Sequence, residues 1–400
     1  MAGKGIRDKV AIIGTGCTKF GEIWEKDEHD LLIEATYEAC KEANVDLRKD
    51  IEAVWVGTYY FFSGLSGFAF SDALKLYGKP VTRCENQCCT GMDAVRNAAY
   101  AVAAGAYDIV LACGVEKILD QSTRGLPGLE NLYLHHSSTV VGESAPSMFG
   151  PLAMRAFKDW GWTREDLAKV AVKNHHNGAK HPKAHFRSEI TIDTVLNAPI
   201  VSYPLGVFDC CAMSDGSAAV VLTRPEIAKG LVGEGNYATI KGLGLAAETA
   251  TPYSRPDWTG LSFPASVKAG EEAFKGAGIQ NPRKELDFGI VHDCFTITEL
   301  INYQDLKLCK PGESADLIRE GVTAIDGEFP INPDGGLKCF GHPIGATGVR
   351  MTVELARQVL GRAEGYQVEG AKAGFAHNLG GPLSISSVII VGTPDWEPGG

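Results

Sequence analysis

No stretch of the 400-residue sequence is apolar for long enough to cross a bilayer. The first residues, Met1 to Asp8, lack the extended apolar segment of a secretory signal. Positive charge is scarce: 38 Lys and Arg stand against 49 Asp and Glu, for a formal net charge of -11. No Lys/Arg run or interleaving of basic and aromatic residues offsets that balance, which argues against nucleic acid as a main partner. An acidic average still leaves room for a local basic pocket facing a phosphate. The eleven cysteines form no CxxC pair and no Cys/His zinc spacing. Free thiols in a reducing cytosol are the simplest account, so a cytoplasmic protein without a metal is expected. A dinucleotide fingerprint is missing as well: Gly14-Thr15-Gly16 follows an apolar run, but Lys19 occupies the third glycine position.

What is present is a chain of 44% hydrophobic and 22% charged residues, long enough for two core-bearing units. In the first half, residues 9–16 and 52–58 read as buried strands and 30–44 as an amphipathic helix with Asp30 as a candidate N-cap. Residues 108–114 and 215–222 read as further strands. The segment 119–165 is rich in Gly, Pro and Ser, contains His135 and His136, and reads as a functional loop or lid. The second half repeats the plan. A strand at 238–244 matches 9–16, a helix at 266–278 matches 30–44, and a strand at 287–291 matches 52–58. A glycine-led helix at 341–361 matches 88–105, and the strand 385–392 closes the repeat. The expected domains are 1–118 with 166–232, the insertion 119–165, and 233–400. Two such units stack as layered α/β/α/β/α, with the paired helix starts meeting near the centre.

The chemistry gathers in four places. Residues 83–95 run from a turn into a helix of small apolar residues, Met92, Val95, Ala98, Ala99, Val102 and Ala103. Cys88 then stands where a helix begins, and unpaired N–H groups there favour thiolate. Inert packing is the default for an isolated cysteine. The other three are Val291-His292-Asp293-Cys294-Phe295-Thr296, the stretch from Gly336 through Gly341-His342-Pro343 to Gly348, and His377-Asn378-Leu379-Gly380-Gly381.

With these motifs the chain resembles the thiolase superfamily over essentially its whole length. Cys88-Cys89-Thr90-Gly91 is similar to the family's nucleophile motif and Gly341-His342-Pro343 to its GHP motif. His292-Asp293-Cys294-Phe295 resembles the variant of the sterol-carrier-protein-2-type and archaeal members. The resemblance implies a thiolase fold and Claisen chemistry on a thioester, with coenzyme A as a substrate. It implies that Cys88 takes the acyl group, that His342 accepts its proton, and that Cys294 is the acid/base for the α-carbon. His292 and His342 would line an enolate hole, and the main-chain N–H groups of Cys88 and Gly380 a second oxyanion hole. Many degradative members carry a catalytic cysteine where this chain has Asn378, for which a catalytic contact and a turn role are both open. Packing is the default for Cys89, Cys339 and the Cys210-Cys211 pair, and His377 is either a supporting or a core histidine.

For the substrate, the aromatic segment 59–70 and the segment 252–258 read either as a dimer interface or as the wall of a pocket for a bulky acyl group, with Arg255 or Lys338 facing a carboxylate. Members of this branch work with a small OB-fold, zinc-ribbon subunit around a homodimeric thiolase core. One cleaves 2-benzoylsuccinyl-CoA to benzoyl-CoA and succinyl-CoA in anaerobic toluene breakdown, and the aromatic loop favours that reading. Synthesis of acetoacetyl-CoA, retro-aldol cleavage of acyl-CoA side chains, and passive acyl-CoA binding are the alternatives.

Overall fold

The computed structural model describes residues 5–60, 64–120, 144–249, 255–381 and 383–399. In chain order, the first half contains β1 (Ala11–Cys17), α1 (Glu28–Glu42), β2 (Ala53–Gly57), β3 (Val81–Cys84), α2 (Thr90–Ala103), β4 (Ile109–Glu116), α3 (Ala145–Trp160), α4 (Arg164–Ala179) and β5 (Gly216–Thr223). The second contains β6 (Ala238–Ala247), α5 (Pro264–Ala277), β7 (Phe288–Val291), α6 (Thr296–Asp305), α7 (Gly336–Phe340), α8 (Ile344–Val359), β8 (Ala373–Gly380) and β9 (Ile385–Gly392).

Strand pairing makes the internal repeat explicit. The order across the sheet is β3-β2-β4-β5-β1-β6-β9-β8-β7. In the first half β3, β2 and β4 run parallel, and in the second β7 runs parallel with β8. In each half these are followed by two antiparallel pairings, β4–β5–β1 and β8–β9–β6. Each half carries its own mixed run of strands, and the two runs are joined by hydrogen bonds where β1 meets β6, through Ala11 opposite Thr239 and Ile12 opposite Ala238, into one order of nine. Helix α1 covers β1 and β5, α5 covers β6 and β9, and α2 with α8 pack between the two halves. That gives the five layers. Among the described residues no helix is long and apolar enough to cross a membrane.

Local sequence explains most element ends. Helix α1 starts at Glu28 because Asp27 is extended and its carboxylate accepts from the Asp30 N–H at 2.9 Å, while Asp30 accepts from the Asp27 N–H. Asp30 is therefore the third helical residue of a capping box and not the cap. Strand β8 was not anticipated as a strand: the segment holding His377, Asn378 and Gly380 is a buried ladder between β7 and β9.

Every residue of α8 is buried, its charged ones included. Burial without partners would be costly, and the partners are present. Arg350 pairs with buried Asp334, Arg357 reaches Glu38 at 2.8 Å, and Gln358 donates to Glu354 at 2.8 Å and to the Tyr366 carbonyl at 2.7 Å. The start of α8 touches the start of α2 backbone to backbone. A Cβ on Gly91 would lie 2.6 Å from the Gly345 carbonyl oxygen, and one on Gly348 would overlap the Met92 nitrogen. Gly91→Val should therefore lower the unfolding free energy by about 1–3 kcal/mol or more, read by urea titration. Gly230→Ala, at a helix position with open space around it, should instead raise the midpoint slightly, by up to about 1 kcal/mol of stability.

Candidate active site

Cys88 lies two residues ahead of α2, with Cys89 at the cap position. The turn that presents it is tight. Gln87 takes a left-handed φ of 54°, Thr90 N donates to the Gln87 carbonyl at 3.0 Å, and the Thr90 hydroxyl accepts from Asn86 N at 2.8 Å. The half-buried Cys88 side chain faces a cavity of about 360 Å³. Cys89 points away, its thiol on the Asn378 carbonyl at 3.0 Å, and burial pushes that thiol's pKa well up. It packs, as does Cys339, whose thiol donates to the Phe186 carbonyl at 2.9 Å.

His342 is delivered by the turn between α7 and α8. Gly341 sits at φ 114°, and the His342 N–H donates to the Ala212 carbonyl at 2.9 Å. Its Nδ1 is 2.8 Å from the Thr347 hydroxyl, which donates to the Pro343 carbonyl at 2.9 Å. The hydroxyl proton is thus engaged, so Nδ1 carries the imidazole proton and Nε2 presents its lone pair. Burial pushes the pKa down to about 3, which keeps the ring neutral.

His292 follows β7. Its Nδ1 lies 2.8 Å from the Asn378 Nδ2, and its carbonyl accepts from Asn302 at 2.9 Å. With the amide nitrogen donating, His292 Nε2 keeps a hydrogen to offer. Burial, with His342 beside it, pushes its pKa well below the usual value. The His292 and His342 rings stand perpendicular with centroids 5.3 Å apart. The sulfur of Cys88 and one nitrogen of each ring all lie within 4.8 Å of one another.

Cys294 lines the same cavity. Its sulfur is 3.6 Å from the Thr298 hydroxyl, which donates onward to the Phe295 carbonyl, so the thiol hydrogen points to Thr298. Burial holds its pKa well up, and Cys294 stays a protonated thiol at neutral pH. Gly380 ends β8 against Cys88: a Cβ there would sit 2.7 Å from the Cys88 nitrogen, so only glycine lets the two main chains lie side by side.

Of the residues expected at the site, the fold gathers Cys88, His292, Cys294, His342 and Gly380 around one cavity. Asn378 is not a turn residue. It lies within β8, outside the cavity lining, and reaches the site through the His292 ring. His377 faces away onto the Ser266 hydroxyl at 2.9 Å, buried and with its pKa pushed down to about 3. The expected carboxylate partners are elsewhere. Arg255 pairs with Asp257 at 2.8 Å and Glu248 at 2.9 Å on the surface, and the Lys338 ammonium donates to the Cys210 carbonyl at 2.7 Å. The wall is aromatic and aliphatic, with Tyr59, Tyr60, Met148, Phe149, Phe295 and Leu379, and no Lys, Arg, Asp or Glu lines it among the described residues. Phe61, Phe62, Ser63, His135 and His136, with residues 252–254, lie outside the described residues.

Two carboxylates to which the sequence assigned no role hold the site together. Glu116, at the end of β4, accepts from the Thr58 hydroxyl at 3.1 Å, Tyr59 N at 3.0 Å, Tyr60 N at 3.1 Å and Gly345 N at 2.8 Å. It ties the tyrosine wall to the start of α8. The signal was a carboxylate directly after the buried run Val110 to Val115. Asp293 accepts from Leu337 N at 2.6 Å and Asn174 at 2.8 Å, which fixes α7 and so the turn carrying His342. Burial, with Glu299 close by, raises its pKa to about 7.

The state of His342 is directly checkable. A folded-state pKa below that of the unfolded chain means the neutral ring contributes stability above about pH 6.5 that is lost as the pH falls toward 3. In histidine-labelled protein, the His342 ring signals should stay at their neutral positions from about pH 8 down to about pH 5. An inflection near the ordinary histidine value would contradict the assignment.

Comparison with known proteins identifies the family. Residues 10–226 match the family described as thiolase, N-terminal domain, and residues 244–393 match thiolase C-terminal domain-like. The chain is 36% identical over 387 residues to acetyl-CoA acetyltransferase of Methanothermobacter thermautotrophicus (strain ATCC 29096 / DSM 1053 / JCM 10044 / NBRC 100330 / Delta H), covering 95% of this chain and 98% of that one. It is 31% identical to benzoylsuccinyl-CoA thiolase subunit BbsB of Thauera aromatica, over 93% of this chain and 95% of the relative. Among solved structures, the Ltp2-ChsH2(DUF35) aldolase superposes with a TM-score of 0.82 at 24% identity, over 98% of this chain and 99% of the other. The chain belongs to the thiolase superfamily and is an acyltransferase of the kind that uses coenzyme A as a substrate.

Proposed function

We propose that this thiolase cleaves a 3-oxoacyl-CoA with a bulky, apolar or aromatic acyl group, through an acyl-enzyme on Cys88. The observation that carries the reading is the meeting of the Cys88 sulfur with the His292 and His342 nitrogens inside 4.8 Å, at the floor of an apolar cavity that Cys294 also lines.

Each role follows from the state of the group. Neutral His342 Nε2 takes the Cys88 thiol proton as the sulfur attacks the 3-oxo carbon. The oxyanion formed there is met by the Cys88 and Gly380 N–H groups. The bond between the α-carbon and that carbon breaks, leaving the acyl group on Cys88 and an enolate on the departing thioester. His292 Nε2–H, held by Asn378, faces the enolate oxygen, and the protonated Cys294 thiol delivers its hydrogen to the α-carbon. Incoming coenzyme A gives its thiol proton to the Cys294 thiolate and attacks the acyl-enzyme. Cys88 leaves and recovers its proton from His342.

The wall suggests the acyl group. Tyr59 with Tyr60 and the stacked pair Phe149–Phe295, centroids 4.4 Å apart, offer flat apolar surface that an acetyl group would leave empty. A benzoyl group transferred from 2-benzoylsuccinyl-CoA suits that surface and would place the enzyme in anaerobic aromatic degradation. The same substrate brings a carboxylate for which the described lining has no cation, so an uncharged aromatic 3-oxoacyl-CoA fits better. The 36% identity to an acetyl-CoA acetyltransferase favours acetoacetyl-CoA as the second reading. A retro-aldolase or a passive acyl-CoA binder has no use for an acylated cysteine beside a second, proton-carrying thiol.

Mixing the enzyme with 3-oxo-3-phenylpropionyl-CoA should leave a benzoyl adduct on Cys88, detectable by mass spectrometry and absent in Cys88→Ala. Its kcat/KM should exceed that for acetoacetyl-CoA. The opposite order would sink the aromatic reading, and no adduct with any 3-oxoacyl-CoA would sink the acyl-enzyme reading itself. For partners, we infer a homodimeric core with a small OB-fold, zinc-ribbon subunit, supported by the DUF35 component of the similar aldolase structure and by the subunit status of the Thauera relative. Purification from the source cells should bring down such a small protein with the thiolase; a bare dimer at full activity would refute it.

A further inference from the structure

We infer that Cys88, His292 and His342 also form a binding site for a thiophilic divalent cation, Zn2+ or Cd2+, which blocks the nucleophile. The inference rests on side-chain geometry and is independent of which thioester is cleaved. Among the described residues these three are the group of His, Cys and carboxylate side chains arranged to hold a metal ion, with their donor atoms within 4.8 Å of one another. A tetrahedral Zn2+ has bonds of roughly 2.0–2.3 Å to such ligands, which puts neighbouring donors roughly 3.5 Å apart. The set therefore closes by about 1 Å through side-chain rotation. The fourth position opens on the cavity, where no Lys or Arg lines the described wall to repel a cation.

The supporting contacts fit a metal site. Both imidazoles are engaged at Nδ1, His342 by Thr347 and His292 by Asn378, so both turn Nε2 to Cys88. Metal-bound histidine donates its other N–H to an acceptor, and the Thr347 hydroxyl already plays that part. His292 presently receives a hydrogen from the Asn378 amide, while the Asn378 Oδ1 is fully buried and has no hydrogen-bond partner. Turning the amide over brings that oxygen onto His292 Nδ1–H and frees Nε2 to bind the cation. The orphaned acceptor then has a partner, and Asn378 Nδ2 gives up His292 as its acceptor. On binding, Cys88 releases its thiol proton to solvent, so occupancy falls as the pH is lowered. Acylation and metal binding use the same sulfur and exclude each other.

The test uses the intact protein with Cd2+ alone, and then Zn2+ alone. Either ion should slow iodoacetamide alkylation of Cys88 by at least about tenfold, read by peptide mass spectrometry. Cd2+ should also raise a thiolate-to-cadmium charge-transfer band in the ultraviolet. That band should be lost in both Cys88→Ala and Cys88→Ser, and kept in Cys294→Ala. Unchanged alkylation of Cys88 at saturating Cd2+, or a band that survives both Cys88 substitutions, overturns the proposal. So does a band lost in Cys294→Ala, because the cation would then sit on other thiols. The acyl adduct on Cys88, measured without metal, stands or falls separately.

Discussion

The contact between the start of α2 and the start of α8 is the constraint on which the rest depends. Gly91, Gly345 and Gly348 let two main chains approach with no side chain between them. Only at that spacing does a sulfur placed just before one helix reach an imidazole placed just before the other. The cost of the arrangement is that both helices lie inside the protein, where the polar groups of α8 must find partners. Glu116 meets part of that need by accepting from Gly345 at the start of α8 while gripping Tyr59 and Tyr60. One carboxylate thus joins the helix that follows His342 to the wall of the cavity.

The electrostatics of the site follow from how dry it is. Desolvation keeps His342 and His292 uncharged and Cys294 protonated. A site of neutral groups suits a reaction in which a proton goes from one sulfur to a ring nitrogen and another comes from a second sulfur to carbon. Behind this layer Lys173 meets Glu299 at 2.8 Å, and Asn174 bridges Glu299 and Asp293 at 2.7 and 2.8 Å. That network fixes both ends of the segment carrying His292 and Cys294 without bringing a charge into the cavity.

The same dryness bears on specificity. A wall of tyrosine, phenylalanine and methionine discriminates by size and shape, which is worth little per methylene but excludes charge strongly. The two cations that looked available for a carboxylate in the sequence are spent elsewhere, Arg255 on a surface carboxylate pair and Lys338 on a main-chain carbonyl.

Much of this is legible without coordinates, for a physical reason: repeats and nucleophile turns are local. The period of apolar residues marks β1, α1, β6 and α5, and the small-residue run after Gly91 marks a central helix. The motifs at Cys88, His292-Asp293-Cys294 and Gly341-His342 contain the residues that the fold brings around one cavity. Local pattern misjudged Asp30, since two aspartates three apart each satisfy a cap rule and only the chain path chooses between them. It also left His377-Asn378 ambiguous, because an Asn ahead of Leu-Gly-Gly looks like a turn until neighbouring strands claim it. Tertiary structure alone decided that Asn378 acts through His292, that Thr347 sets the His342 tautomer, that Glu116 serves both helix and wall, and that two sheets join where β1 meets β6. Each is a contact between residues far apart in the chain or a hydrogen-bond direction, and neither leaves a trace in the order of the amino acids.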